Sequence, residues 1–153
     1  MIRPYQYESI HGWFDWPEVY SKWVIDAPPN ALIVEVGVWL GRSLCYLAEM
    51  CQNLQRTDIR LIGIDTWDGC EKCQWEMIQA LELNSEGLFS LTRDNLSFDN
   101  VSLIRGDADE VAERHDIRPD YCFIDSDHKY SAVNEQSIPG SLEPRFSWLD
   151  TIS

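Results

Sequence analysis

Basic residues are scarce in this chain: 12 Lys and Arg stand against 26 Asp and Glu, a formal net charge of −14 over 153 residues. A surface of that sign repels a phosphate backbone and argues against nucleic acid as a partner. Long apolar runs are missing as well. No stretch reaches the roughly 18 apolar residues that a membrane span needs. The opening MIRPYQYESIHGW lacks the apolar centre of a secretory leader. The expectation is a cytoplasmic protein with no membrane partner. Cysteine is present without a framework, as an odd count of five. Cys45, Cys51 and Cys122 fall in apolar patterns and read as buried thiols. Cys70 and Cys73 form a lone C-x-x-C. No second pair completes a zinc site, and no strand–helix start gives it a redox context. Internal repeats and low-complexity segments are absent from the sequence.

What is present reads as one domain, 1–153, with an N-terminal helical and aromatic segment (1–29), a core (30–134) and a tail (135–153). Pro17 can open a helix on which Val19, Tyr20, Trp23 and Val24 recur at helical spacing, stopped by Pro28-Pro29-Asn30. Leu32–Val36 is a short, β-branched run and predicts a buried strand. Ser43 can cap the next helix, with Leu44, Leu47, Ala48 and Cys51 as its apolar stripe. Arg60–Ile64 predicts the second strand, and residues 75–83 a helix broken by Asn84-Ser85-Glu86-Gly87. Leu88, Leu91 and Asn95 suggest a further helical piece. Val101–Ile104 predicts the third strand. Asp107 and Glu110 have the spacing of a capping box ahead of a helix that Arg118-Pro119 ends. Tyr121–Ile124 predicts the fourth strand, and residues 129–135 the start of another helix. The alternation gives an α/β fold, a Rossmann-like doubly wound parallel sheet of about four core strands in the order 3-2-1-4.

Ligands of such sheets bind outside the carboxyl ends of the strands. Each strand here ends in a glycine or an acid. After the first comes E-x-G-x-x-x-G, with Glu35, Gly37 and Gly41. Gly37 can let the backbone approach a ligand, and Gly41 can let helix and strand pack closely. This is the arrangement of a nucleotide-like site, but not the G-x-G-x-x-G of dinucleotide enzymes, so it points to S-adenosylmethionine rather than NAD. After the second strand Asp65 stands where an acid accepts ribose hydroxyls. After the third, Asp107 is placed either to accept from an adenine amino group or to cap the following helix. After the fourth come Asp125, Asp127 and His128.

The segments IVEVGVWLGRSLCYLAE (33–49), IGIDTWDG (62–69), LIRGDADEV (103–111) and FIDSDHKYSAV (123–133) resemble the class I S-adenosylmethionine-dependent methyltransferases. Within them the chain is most similar to small-molecule O-methyltransferases of the macrolide-sugar and cephalosporin-hydroxylase-like type. The resemblance implies that Glu35, Gly37 and Gly41 line the methionine and ribose side of the cofactor, that Asp65 holds the ribose, and that Asp107 with Ala108 meets the adenine. It further implies Asp125 as ligand of a divalent ion such as Mg²⁺, and His128 as the base that takes a proton from the hydroxyl of a small, sugar-like methyl acceptor.

The family pattern continues beyond the D-x-x-H segment with further strands, whereas this sequence passes into NEQSIPGSLEPRFSWLDTIS. The expectation is therefore a C-terminally truncated version of the domain. The fourth strand would be an edge, covered by Phe146, Trp148 and Leu149 or paired across a homo-oligomer. A catalytically inactive protein that binds the cofactor or a partner chain is the alternative to an active methyltransferase. Trp13, Phe14 and Trp16 are expected to pack against the fold, with a lid or an oligomer contact as alternatives. Trp39 and Trp67 lie near the expected ligand, to stack on it or shield it.

Overall fold

The computed structural model describes residues 6–68 and 83–125. A single 3₁₀ turn, Tyr7–Ser9, precedes helix α1 (Pro17–Asp26), strand β1 (Leu32–Val36), helix α2 (Arg42–Asn53) and strand β2 (Arg60–Asp65). Helix α3 (Ser85–Asn95), strand β3 (Val101–Arg105), helix α4 (Ala108–His115) and strand β4 (Tyr121–Ile124) follow. The strands form one parallel sheet in the order β3-β2-β1-β4, as the sequence pattern predicts.

Local chemistry accounts for most boundaries. Pro17 occupies the first turn of α1, where its missing N–H costs nothing. Asn84, expected as part of a helix break, is instead the cap of α3: its side-chain oxygen accepts from Gly87 N at 2.9 Å. Asp107 caps α4 by accepting from Asp109 N at 3.0 Å. That helix ends earlier than Arg118-Pro119, at Asp116 with φ +45°. Helix α2 begins at Arg42 with Gly41 as its cap, so Ser43 is already inside the helix and its hydroxyl is used elsewhere.

Alternation along the strands divides the side chains between two faces. Ile33, Leu61, Val101, Leu103, Tyr121 and Phe123 join α1, α2 and α3 in the larger core. Val34, Val36 and Ile64 meet α4 through Val111 on the other face. Gly63 lets α2 settle onto the first face, since a Cβ there would lie 2.7–2.8 Å from Leu44, Leu103 and Val38. Cys45 and Cys51 are buried and Cys122 is half-buried, with burial raising their thiols to about 12, about 12 and about 11. The C-x-x-C, the helix expected over 75–83 for all but its last residue, the helical start at 129–135 and the tail cluster fall outside the described residues. Among the described residues β4 pairs with β1, and no helix is long and apolar enough to cross a membrane.

Candidate functional site

The parallel register levels the carboxyl ends of the strands. Val36 pairs with Ile64 and with Ile124, and Asp65 pairs with Arg105. Gly37, Asp65, Asp107 and Asp125 therefore sit along one edge of the sheet. The chain leaves β1 through Gly37 at φ +89° and enters α2 through Gly41 at φ +88°, both in the left-handed region that glycine tolerates. Gly37 N donates to the Ile64 carbonyl and Gly41 N to the Val38 carbonyl, each at 2.9 Å. The Gly41 position admits no side chain, because a Cβ would stand 2.7 Å from Leu96 Cδ1. Its tight neighbour is thus Leu96, at the end of α3, rather than a strand. The loop delivers the first-turn amides of α2 to the sheet edge, an electropositive end suited to an anionic or polar ligand.

The two acids nearest the loop are bound internally. Glu35, 2% exposed, points to the face of α1 and α2. Its Oε2 accepts from the Tyr20 phenol at 2.6 Å and its Oε1 from Ser43 Oγ at 2.8 Å. Burial raises its carboxyl to about 7, against the lowering by those two hydrogen bonds; the neighbouring Asp125 and Asp65 push it further up. Burial, followed by the charge of Glu35, likewise raises the Tyr20 phenol well above its usual range. Asp65 uses one oxygen for Trp39 N at 2.8 Å and the other for Trp67 N at 2.9 Å. Each of these carboxylate oxygens keeps a further lone pair for a ligand hydroxyl.

Past β3, Asp107 and Ala108 open α4 at the same edge, with Asp107 in the capping role that the sequence left open. Past β4, Asp125 N donates to the Val36 carbonyl at 2.8 Å. His128 and Asp127 lie outside the described residues. Among the described residues no three His, Cys, Asp or Glu side chains converge. Asp125 therefore has no such set of donors around it among the described residues.

Three aromatic expectations change. Trp67 is not a ligand platform: it is almost fully buried, and its indole donates to the Trp39 carbonyl at 2.9 Å and to Thr92 Oγ1 at 3.0 Å. Trp13 and Trp16 do not pack against the fold as expected but are 64% and 50% exposed. Phe14 does pack, with its ring centroid 5.2 Å from that of Tyr20 and 5.0 Å from that of Tyr46. The sequence carries no site signal at Thr92, Gly63 or Arg105, and Asn95 reads there only as part of a helical piece. Arg105 donates to the Thr66 carbonyl and to Glu86, and so ties the end of β3 to the start of α3. Only its place at a strand end could have flagged it.

The profile of the methyltransferase-domain family matches residues 34–138. Among solved structures, the chain is similar to the calicheamicin methyltransferase CalS11, with 18% identity over 71% of this chain and 51% of that one and a TM-score of 0.47. A protein-L-isoaspartate O-methyltransferase aligns at 14% identity over 71% of this chain and 27% of that one, TM-score 0.43. A cyclopropane-fatty-acyl-phospholipid synthase-like protein from Lactobacillus casei aligns at 13% identity over 78% and 44%, TM-score 0.44. The chain thus spans from about a quarter to about half the length of these structures. No curated protein matches it.

Proposed function

Since the chain belongs to the methyltransferase-domain family, we propose that it binds S-adenosylmethionine at the carboxyl edge of β1, β2 and β3 and methylates a hydroxyl of a small, sugar-like molecule. The observation that carries this reading is the level edge itself. A glycine loop at β1, an acid at β2 and an acid-capped helix after β3 stand side by side through register, in the order a nucleoside requires.

Gly37 to Gly41 would pass their backbone along the ligand, and Glu35 would support that loop from beneath through Ser43 and Tyr20. Asp65 would accept ribose hydroxyls on its remaining lone pairs while it holds Trp39 and Trp67. Asp107 and Ala108 would meet the base. The bound cofactor supplies an electrophilic methyl on a sulfonium. Asp125 would orient the acceptor, and His128 would take the proton of its hydroxyl, an assignment that comes from the D-x-x-H sequence pattern.

Calorimetric titration with S-adenosylhomocysteine, followed by transfer of a labelled methyl group to a panel of sugars, tests the proposal. Saturable binding with transfer supports it. Binding without transfer moves the reading to a cofactor-binding protein without turnover. Absence of binding at millimolar ligand, or preference for NADH, removes it.

A further inference from the structure

The inner side of the glycine loop is gripped by one helix. Thr92 of α3 is fully buried, and its hydroxyl lies 2.6 Å from the Trp39 carbonyl oxygen and 2.9 Å from the Leu88 carbonyl one turn back. The Thr92 oxygen in turn accepts from the Trp67 indole, which also reaches the Trp39 carbonyl. One turn further along α3, Asn95 Nδ2 donates to the Leu40 carbonyl at 3.0 Å. Leu96 then fills the space a Gly41 side chain would need. Three consecutive loop residues, 39 to 41, therefore meet two positions of α3 and its C-terminal cap residue.

From the sheet side, Asp65 holds the Trp39 amide. Both polar groups of the Trp39 backbone are thus fixed, at φ +55°, which a residue with a large side chain adopts only where its surroundings over-determine it. Trp67, also at φ +55°, is held by the same carboxylate. A threonine that merely satisfied itself within its own helix would need only the Leu88 carbonyl. The shorter approach here is to the loop.

We propose that α3 positions the glycine loop, with Thr92 and Asn95 as positioning residues that set the direction of its peptide units without touching the ligand. This rests on the reading that the loop holds S-adenosylmethionine. Peptide units are planar, and none in the described residues is cis. Turning the Trp39 carbonyl onto Thr92 therefore turns the Leu40 N–H away from α3. Without the grip, Trp39 leaves the left-handed region, the loop becomes an ensemble, and binding carries the cost of ordering it.

Thr92→Val keeps the side-chain shape and removes the hydroxyl, whereas Thr92→Ser retains it. The first readout is hydrogen exchange in the free protein. Thr92→Val should speed exchange about tenfold at the Trp39 and Gly41 amides and the Trp67 indole N–H. Thr92→Ser should restore it, with β1 and β2 unaffected in both. Unchanged loop exchange in folded Thr92→Val overturns the proposal whatever the chain binds. The second readout is affinity for S-adenosylhomocysteine, which should weaken about tenfold in Thr92→Val and recover in Thr92→Ser. Equal affinity of wild type and Thr92→Val also overturns the proposal. A wild type that binds no S-adenosylhomocysteine removes the cofactor reading, while the exchange data still decide whether α3 holds the loop. Should Thr92→Val fail to fold, Asn95→Ala replaces it. Faster Gly41 exchange then supports the proposal and unchanged exchange overturns it.

Discussion

On one face of the sheet, Ile33 and Leu61 cluster with Tyr20, Leu44, Leu47 and Ala48, each at most 1% exposed. On the other, among the described residues, Val34, Val36 and Ile64 meet one eight-residue helix through Val111, ringed by half-buried Leu32, Ile62, Ile104 and Cys122. The difference bears directly on the site. Glu35 and Asp65 occupy alternate strand positions on the well-filled face, so the acids that organise the glycine loop inherit its rigidity. Asp107 and Ala108 ride on the helix of the sparser face. Among the described residues, the candidate edge is thus held by denser packing on the glycine-loop side than on the side proposed for the base.

Truncation across the two faces should break the comparison most visibly. Leu44→Ala leaves a cavity in the filled face and should cost about 2–5 kcal/mol. Val111→Ala on the other face should cost about 1–2 kcal/mol. Urea unfolding of the two variants measures both, and equal losses would show that the faces are equally packed.

The next effect concerns pH. The Glu35 carboxyl is raised from 4.5 to about 7 in the folded protein. Between those values the folded state keeps a proton that the unfolded chain has released. Stability therefore falls as pH rises from about 4.5 through about 7, by roughly 3 kcal/mol, and levels off above. Glu35→Gln, which stays neutral, should flatten that part of the profile. Unfolding midpoints from pH 4 to 8 give the answer, and a slope unchanged in the variant would assign it to other groups.

The smallest effect is kinetic. Cys45 and Cys51 on the filled face should resist an alkylating reagent at pH 8, while half-buried Cys122 on the other face should label before those two. Peptide mapping of the labelled protein reads the order. Simultaneous labelling of all three would indicate whole-chain opening rather than a difference between faces.

Much of this was legible in the sequence because it is local. The β-branched run Leu32–Val36, the run Tyr121–Ile124 and the acids or glycines after each strand report on themselves, and their order implies the sheet. The glycine loop was legible for the same reason. What stayed hidden depends on partners distant in the chain. Trp67 looks like a ligand platform until its indole is found on Thr92, 25 residues away. Ser43 has the composition of a cap, but Gly41 starts the helix, leaving the Ser43 hydroxyl to a carboxylate eight residues back. Gly63 carries no turn signal, and its need appears only when α2 lies across it. Asn84-Ser85-Glu86-Gly87 reads as a break because the residues that interrupt a helix are also those that begin one.

Helix α2 carries opposite charges two turns apart, and both act on the arm that precedes α1. Arg42 Nη1 donates to the carbonyls of Ile10 and Gly12, while the Glu49 carboxylate accepts the amides of Gln6 and Tyr7. A cation that selects carbonyls and an anion that selects amides together read the polarity of a strand of backbone. These backbone contacts join the packing of Tyr7, Ile10 and Phe14 in seating the arm on the core.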